Sequence, residues 1–178
     1  KICSCEYLAG AFALTEPGAG SDPAAMKTVA VRDGDDWVLN GSKIFISSGS
    51  CAGVFVVWAV TDREAPKGKG ISLFLVEPGS DGLVVGKSEE KMGQHASPTN
   101  EILFQDCRIS AGALMGTLND GFRVAVSELA GGRIGIGSLG LGLGLAAMDY
   151  ATRYARERIQ LGRTISEFQA IQWKIADR

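Results

Sequence analysis

The most constraining feature of this sequence is a change in its hydrophobic period near residue 110. Before that point, short apolar runs such as residues 54–60 and 71–76 alternate with clusters of Gly and Pro. This pattern is typical of β-strands joined by turns. After Leu118, apolar residues recur at the spacing of one helix face, for example at Leu141 and Leu145. The chain is therefore expected to fold as a β-rich part followed by a helical part.

We predict an α+β chain in which residues 1–112 form an antiparallel β-barrel or sandwich and residues 113–178 begin a helical-bundle domain. Asn40-Gly41 is a strong short hairpin signal between two of the strands. In the helical part, Gly162 is expected to stop a helix and Ser166 to cap the next one. Because a helical pattern still runs at the last residue, the chain is expected to be an internal piece of a longer protein. The strands are expected at residues 27–32, 37–39, 43–46, 54–60, 71–76, 83–85 and 101–104.

Residues 135–140 read G-I-G-S-L-G, the letters of a dinucleotide-binding motif. That motif works only where the glycines form the turn between a strand and a helix. Here residues 122–129, just before it, have helical spacing, and further glycines follow at Gly142 and Gly144. We therefore predict that the glycines lie inside a helix and allow close contact with a neighbouring helix.

Composition excludes several classes of partner and cofactor. The formal net charge is −2, whereas binding a phosphate backbone needs clustered Lys and Arg, so no nucleic acid partner is expected. The apolar runs are broken by Gly, Ser or charge, so no membrane span is expected. Together with the single His95, the cysteines fit no zinc spacing, and we predict no metal site. Reduced thiols are favoured over disulfides for these cysteines, which are Cys3, Cys5, Cys51 and Cys107.

The most informative stretch is residues 12–22, which read F-A-L-T-E-P-G-A-G-S-D. A short strand would deliver the hydroxyl of Thr15, and the Pro-Gly turn after it would expose main-chain donors. Glycines at Gly18 and Gly20 would let a planar or anionic ligand approach the main chain closely. On these residues alone, an ordinary strand and turn capped by Ser21 and Asp22 remains the alternative.

Six separated parts of the chain resemble the acyl-CoA dehydrogenases, in that family's order and spacing. They read T-E-P-G-A-G-S-D at 15–22, N-G-S-K-I-F-I-S at 40–47, K-M-G at 91–93, F-Q-D-C at 104–107, G-G-R-I at 131–134, and R-I-Q-L-G at 158–162 with F-Q at 168–169. The resemblance implies the flavin-binding middle β-domain of that family and the first part of its C-terminal helical domain.

The resemblance also implies a cofactor and the residues around it. FAD would be bonded by the hydroxyl of Thr15 and nearby main chain, with Phe45 against the flavin ring and Ser47 near flavin N5. Acyl-CoA would be contacted by Ser21 and Arg133. The full set implied for FAD is Phe12, Leu14, Thr15, Gly20, Ser21, Phe45, Ile46, Ser47, Arg158 and Gln169, of which Arg158 and Gln169 would reach the FAD of a neighbouring subunit in a homodimer or homotetramer.

Three departures from the family pattern matter. Phe45 stands where many relatives carry Trp, and Ser48 replaces a commoner Asn. Gly132 occupies the position that holds the catalytic Glu in a minority of relatives, so no catalytic residue is expected within this chain. The commoner position for that Glu would lie beyond residue 178.

The implied activity is α,β-dehydrogenation of an acyl-CoA to the 2-enoyl-CoA, with electrons passing to electron-transfer flavoprotein. The location would be cytoplasmic in a bacterium or the mitochondrial matrix in a eukaryote. An acyl-CoA oxidase, a flavin monooxygenase of the same fold, or a non-catalytic β-barrel binding module are the alternatives. Residues 131–133 and 97–99 are similar to those of relatives acting on short, branched acyl chains such as isobutyryl-CoA.

Overall fold

The computed structural model describes residues 1–177, so the sequence prediction for Arg178 lies outside the described residues. Residues 1–126 and residues 127–178 form two compact units. The first is dominated by β-strands, and the second by helix. The predicted order of a β-rich part followed by a helical part is confirmed.

Unit 1 is built around one eight-stranded sheet with strand order β6-β7-β3-β2-β4-β5-β8, in which β1 pairs with β4. Neighbouring strands are antiparallel, except that β4 runs parallel to β1 and β2. The sheet is therefore mixed rather than purely antiparallel, and its pairings among the described residues do not close into a barrel. The strands are β1 (Ala9–Ala13), β2 (Val29–Asp33), β3 (Asp36–Ser47), β4 (Ala52–Val60), β5 (Ile71–Val76), β6 (Leu83–Ser88), β7 (Thr99–Ser110) and β8 (Leu114–Met115).

The main core of unit 1 follows from the alternation of side chains along its strands. On β3, Trp37 and Leu39 are buried, and Ile102 and Phe104 are buried in the same way on the neighbouring β7. The ring of Trp37 meets Phe74 of β5 edge-on, with centroids 5.3 Å apart. Burial of this apolar area, rather than any one pairing, supplies the driving force for the sheet.

The Asn40-Gly41 hairpin prediction is wrong, because both residues lie inside the continuous strand β3. The tight turn comes earlier: Asp33 pairs with Asp36, so Gly34 (φ +61°) is the first of only two turn residues. Gly41 instead sits at a register shift between β3 and β7 with φ +148°. A Cβ there would lie 2.7 Å from the Cα of Thr28, so this position needs a glycine for close approach, not for a turn.

Helix α1 spans Gly121–Glu157, and α2 spans Gln169–Ala176. The predicted helix stop at Gly162 is wrong, because a hairpin of β9 (Ile159–Gln160) and β10 (Arg163–Thr164) follows α1. Its two turn residues, Leu161 and Gly162, both have positive φ, as a tight hairpin turn requires.

The capping prediction for the following segment is also wrong. Thr164, not Ser166, forms the cap, in a capping box with Glu167. That box begins a 3-10 turn, and α2 starts only at Gln169. Ser166 and Thr164 share a 2.8 Å hydroxyl–hydroxyl hydrogen bond, so both candidate capping residues lie in the same local network.

Residues 135–140 lie in the middle of α1, so the prediction of helix rather than a strand-to-helix turn is confirmed. A Cβ built at Gly135, Gly137 or Gly140 would meet nothing within 4 Å among the described residues. The close helix contact expected of these glycines stays a prediction.

By length and composition, α1 is able to cross a membrane, since an 18-residue window reaches a mean hydropathy of 1.3. The statement that the apolar runs are too broken for a span is therefore wrong for this helix. Glycines interrupt its apolar side chains but barely lower its mean hydropathy. One such helix is weak evidence, because core helices pass the same test, and the absence of a membrane partner stays a prediction.

Candidate functional site

Two segments that are about 30 residues apart in sequence lie side by side at one end of the sheet. The backbone N–H of Ile44 donates a 2.9 Å hydrogen bond to the carbonyl oxygen of Thr15. The ammonium of Lys43 donates a 3.1 Å hydrogen bond to the carbonyl oxygen of Leu14. The stretch that follows β1 is therefore fixed to the last part of β3, where Phe45 and Ser47 lie.

The Pro-Gly turn that follows Thr15 is closed by main-chain hydrogen bonds. Glu16 and Ala19 exchange two of them, each 3.1 Å long. Gly18, Gly20 and Ser21 are exposed at the turn, and a Cβ at either glycine would meet nothing within 4 Å. The turn thus presents an open stretch of main chain that a flat or anionic ligand can approach.

Phe45 is held in an unusual backbone conformation. Its φ is +57°, which is a rare value for a bulky residue, and 61% of its surface is exposed. The register between β3 and β7 shifts between Lys43 and Ile46, so Phe45 lies in a bulge. Bulges re-aim side chains, and strained backbone of this kind clusters at ligand sites. An exposed aromatic face at this point therefore indicates a binding surface.

A second partly exposed aromatic residue, Phe12, lies on β1. Its exposed fraction is 40%, and its ring contacts that of the buried Trp58 with centroids 4.4 Å apart at 47°. The Nε1–H of Trp58 donates a 2.8 Å hydrogen bond to the carbonyl oxygen of Gly121. Phe12 is thus supported from behind by a fixed ring, while part of its own surface faces outward.

Behind the turn lies a buried ion pair. The ammonium of Lys43 lies 2.8 Å from Oε1 of Glu16, and the side chains are 0% and 6% exposed. Oε2 of Glu16 accepts a hydrogen bond from the backbone N–H of Lys27 (2.6 Å), and Oε1 accepts one from that of Thr28 (3.0 Å). Glu16 therefore satisfies two backbone donors of the segment before β2.

The two members of the ion pair have shifted pKa values. Burial raises the pKa of Glu16, but the nearby Lys43 ammonium and the hydrogen bonds to the carboxylate outweigh it, so the pKa lies below the usual 4.5. Burial lowers the pKa of Lys43, and Glu16 offsets that effect only in part. Glu16 is consequently held as a carboxylate and is a poor proton acceptor near neutral pH.

The other residues predicted to contact FAD or substrate are distributed between the two units. Leu14 (4% exposed) and Ile46 (1% exposed) are buried, and the Leu14 carbonyl already accepts a hydrogen bond from Lys43, so neither residue presents an exposed side chain to a ligand. Three predicted residues belong to the unit of residues 127–178, where all are exposed; they are Arg133, Arg158 and Gln169.

Beside the turn of unit 1 is a cleft of about 420 Å³. Four basic side chains line it, and sequence analysis had singled out none of them as a site. One, Lys67, lies 2.5 Å from a carboxylate oxygen of Asp22, the residue after Ser21. Asp62 adds one carboxylate to the lining, so the cleft has three more basic than acidic side chains and can accept negatively charged groups next to the exposed turn. Its basic residues are Lys27, Arg63, Lys67 and Lys69.

Sequence analysis also missed Trp58 and the pairing of Lys43 with Glu16. Lys43 belongs to the N-G-S-K-I-F-I-S motif, but Gly41 and Ser42 before it are not an apolar run, so its surroundings in the sequence do not mark it as a buried charge. The apolar run of residues 54–60 predicted a strand that includes Trp58, but it carried no information about the hydrogen bond from Trp58 to Gly121. Among residues 1–177, no group of three or more His, Cys, Asp or Glu side chains could hold a metal ion, and the four cysteines are free thiols.

Comparison with known families identifies both parts of the chain. Residues 11–107 match the family described as acyl-CoA dehydrogenase, middle domain, and residues 119–178 match acyl-CoA dehydrogenase, C-terminal domain. The acryloyl-CoA reductase (NADH) of Anaerotignum propionicum is 49% identical over 171 residues, covering 94% of this chain and 43% of that protein. The human mitochondrial short-chain specific acyl-CoA dehydrogenase is 46% identical, covering 94% of this chain and 40% of the relative.

Solved structures give the same result. Butyryl-CoA dehydrogenase from Megasphaera elsdenii superposes with a TM-score of 0.89 at 43% identity, covering 94% of this chain and 44% of that one. A chain from the study of the electron transferring flavoprotein of Acidaminococcus fermentans superposes with a TM-score of 0.89 at 48% identity, with the same coverage. The chain therefore spans less than half the length of the relatives it matches.

Proposed function

Because the chain belongs to the acyl-CoA dehydrogenase family, we propose that it is the middle and early C-terminal part of an FAD-dependent enzyme that removes hydrogen from Cα and Cβ of an acyl-CoA thioester. Members of the family are flavoproteins. In this proposal residues 1–112 bind FAD and acyl-CoA, and residues 113–178 begin the helical domain.

The observation that carries the proposal is the exposed Phe45 in its strained bulge, adjoining the segment that contains Thr15. A flavin is a flat aromatic ring system with polar edges, so it needs aromatic faces and nearby hydrogen-bonding groups. Phe12 and Phe45 supply partly exposed aromatic faces, at 40% and 61% exposure. The hydroxyls of Thr15 and Ser47, and the main chain of the turn, supply donors and acceptors. The described residues therefore fit the cofactor.

When bound, the flavin supplies an acceptor for the hydride that leaves Cβ. The chain's own residues bind and orient the flavin and the acyl-CoA. Thr15 and Ser47 hold the polar edge of the ring, while Phe12 and Phe45 cover apolar surface and exclude water. Hydrogen bonds to the thioester carbonyl make the α-proton more acidic, since they stabilise charge on that oxygen. Ser21 and Arg133 are the proposed contacts to acyl-CoA.

The base that takes the α-proton is proposed to lie outside residues 1–178. Glu16 is unsuited to this role because both of its carboxylate oxygens accept hydrogen bonds from Lys27, Thr28 and Lys43. Gly132 lacks a carboxylate. A general base must lie within hydrogen-bond reach of the proton that it removes.

The basic cleft extends the proposal to the polar end of the substrate. Coenzyme A carries phosphates, and ammonium and guanidinium groups bind phosphate oxygens through charge-assisted hydrogen bonds. Lys27, Arg63, Lys67 and Lys69 line a cleft of about 420 Å³. Since Lys67 contacts Asp22 beside Ser21, the cleft continues the proposed substrate surface.

Assembly and electron transfer follow from the same proposal. The enzyme would be a homodimer or homotetramer in which Arg158 and Gln169 reach the FAD of a neighbouring subunit. Electron-transfer flavoprotein would accept the electrons, which is supported by the structural similarity to a chain from a study of that protein. The relatives include bacterial and mitochondrial proteins, so we propose a cytoplasmic location in a bacterium or the mitochondrial matrix in a eukaryote.

A second candidate is the reverse reaction, reduction of an enoyl-CoA. It is favoured by the 49% identity to an acryloyl-CoA reductase (NADH). The same flavin surface would serve both directions, since hydride transfer is reversible. An acyl-CoA oxidase, a flavin monooxygenase and a non-catalytic binding module are the remaining alternatives.

The test uses the complete protein that contains residues 1–178, purified and examined for a flavin spectrum. Anaerobic mixing with butyryl-, isobutyryl- and octanoyl-CoA should bleach the flavin with at least one of them, and isobutyryl-CoA tests the branched-chain expectation. Bleaching of the flavin by NADH, together with turnover of acryloyl-CoA, would favour the reductase. Rapid reoxidation of the reduced flavin by oxygen would favour the oxidase. A colourless protein that takes up no FAD would contradict the proposed function.

A parallel sample of residues 1–178 alone, incubated with FAD, tests the location of the base. No bleaching by the same three thioesters is expected. Rapid bleaching would show that a base within this segment had been overlooked.

A further inference from the structure

Lys43 and Glu16 link three segments of unit 1 at the proposed flavin surface. Lys43 belongs to β3, Glu16 to the turn after β1, and the donors Lys27 and Thr28 to the segment before β2. Within this network the Lys43 ammonium donates to Glu16 Oε1 (2.8 Å) and to the Leu14 carbonyl (3.1 Å). Neither side chain of the ion pair is more than 6% exposed.

The residue that this network fixes is Thr15, which is held at three points. Lys43 holds the carbonyl of Leu14 before it, and the Ile44 N–H holds its own carbonyl. Lys43 also holds the side chain of Glu16 after it. The residue after Ile44 is Phe45 in its strained bulge. One buried ammonium thus sets the position of Thr15 relative to Phe45.

Stability alone is a poor explanation for a buried ion pair. Removing two charges from water costs about as much as their attraction returns, and well-packed apolar residues of similar volume often give equal or greater stability. A buried charged network does, however, fix geometry, because its members are satisfied in only one arrangement. The sheet already has an extensive apolar core around Trp37, Leu39 and Phe74.

We propose that Lys43 and Glu16 are a positioning pair for the flavin site, whose buried contact holds the Thr15 main chain and the Phe45 bulge in the arrangement that binds the ring. This inference rests on the proposed function, since it presumes that FAD binds there. Neither residue touches the ring; both act through Thr15 and Phe45.

The experiment compares four variants of the complete protein: Glu16→Gln, Lys43→Met, the double variant Glu16→Gln/Lys43→Met, and Ile109→Ala as a control. Ile109 is 7% exposed in β7 and pairs with Trp37, at the other end of β3 from Lys43. Ile109→Ala should lower stability by leaving a cavity in the core, and Ile109 is not part of the Lys43–Glu16 network. The measurements are the unfolding midpoint, the FAD dissociation constant, and the absorption spectrum and midpoint potential of the bound flavin.

Both single variants should weaken FAD binding by about tenfold, the equivalent of one lost hydrogen bond of good geometry, and should alter the bound flavin's spectrum and potential. Both should also be less stable than wild type, because each leaves the other member of the buried pair without its charged partner. The double variant should recover part of that stability but not the flavin properties. Ile109→Ala should lower the unfolding midpoint and leave the spectrum and potential of the bound flavin unchanged.

The outcomes separate the two hypotheses. If the wild-type protein binds no FAD, the proposed function fails. If it binds FAD, and the network variants lose stability but keep the spectrum, potential and affinity as the control does, the positioning pair is wrong. Should Lys43→Met fail to fold, Glu16→Gln, which keeps the size of the side chain and removes only its charge, decides the question.

Discussion

The indole Nε1–H of Trp58 donates a 2.8 Å hydrogen bond to the carbonyl oxygen of Gly121, which joins the middle of β4 to the first residue of α1. The same indole ring also contacts the ring of Phe12, and the two ring centroids are 4.4 Å apart. Gly121 has no room for a side chain, since a Cβ there would lie 2.7 Å from the carbonyl carbon of Ser72. The start of the helix, the sheet and an aromatic residue of the proposed flavin surface are thus connected through Trp58.

Trp58→Phe should destabilise unit 1 by about 1–3 kcal/mol, because it keeps an aromatic ring but removes a buried hydrogen-bond donor. Denaturant unfolding measures the change. Trp173→Phe is the matched control, since Trp173 is 62% exposed, and it should change stability by no more than about 0.5 kcal/mol. Equal effects of the two substitutions would contradict the structural role of the Trp58 donor.

Gly41→Ala should cost about 2 kcal/mol or more, because the added Cβ would lie 2.5–2.8 Å from atoms of Thr28 and overpacks the strand. Gly34→Ala is the control. It also has positive φ, but a Cβ there would meet nothing within 4 Å, so only backbone strain of about 1 kcal/mol is expected. A smaller loss of stability for Gly41→Ala than for Gly34→Ala would show that the strand shifts to make room for the added Cβ.

How far the sequence predicts this fold differs from residue to residue. The strand at residues 71–76 could be predicted because its apolar run has clear turn signals on both sides, and it is observed with those bounds. Asn40-Gly41 has the local preference of a turn, but pairing of β3 with β7 on both sides of it overrides that preference. Asn40 instead exchanges two 2.9 Å hydrogen bonds with Asp106 of β7. That partner is 66 residues away, and local pattern carries no information about it.

The same limit applies to the site. The resemblance selected Thr15, Phe45 and Ser47, and the structure brings their two segments together. The ion pair that we propose positions Thr15 and Phe45 joins Glu16 to Lys43, and neither residue alone signals a partner 27 residues away. The positive φ of Phe45 is likewise a consequence of sheet pairing, not of local preference, since bulky residues disfavour it.

Thr15→Ala and Ser47→Ala should each weaken FAD binding by about fivefold, which corresponds to about 1 kcal/mol for a neutral hydrogen bond. The fold should persist, because Thr15 lies outside the strands, Ser47 is the last residue of β3, and neither residue is buried. Titration of the apoprotein with FAD and the rate of flavin reduction are the measurements. Ser110→Ala, at the end of β7 that pairs with Asp36, serves as the control. Unchanged affinity and rate in both site variants would show that the assigned site is wrong.

Arg158→Ala should lower FAD occupancy by roughly tenfold or more while leaving the unfolding midpoint nearly unchanged. A guanidinium presents a planar set of donors to phosphate oxygens, and a charge-assisted hydrogen bond is worth about 1.5–3 kcal/mol. Arg153→Ala, an exposed arginine of α1, is the control. Flavin content after gel filtration, together with the oligomeric state, measures the effect. Full FAD retention, or a fully active monomer, would count against a contribution from the neighbouring subunit.

The final prediction concerns acid stability, which should depend on Glu16. The pKa of Glu16 in the folded protein lies below its usual 4.5, so the unfolded chain takes up a proton at this residue at higher pH than the folded chain does. The stabilising effect of the carboxylate is therefore fully present above about pH 4.5 and is lost as the pH falls through the folded-state pKa. Glu16→Gln removes this dependence.

At pH 7, Glu16→Gln should be less stable than wild type by about 3–5 kcal/mol, because it leaves the buried Lys43 without its partner. Below pH 4.5 the difference in unfolding free energy between wild type and Glu16→Gln should become smaller, since wild type loses the stabilisation by the Glu16 carboxylate, which the variant lacks at every pH. Free energies of unfolding measured by denaturant from pH 7 to pH 3 provide the comparison, with the exposed Glu157→Gln as the control, whose curve should follow that of wild type. Curves for Glu16→Gln and wild type that stay parallel down to pH 3 would mean that the Glu16 carboxylate does not depend on Lys43, and the buried ion pair would then lose its assigned role.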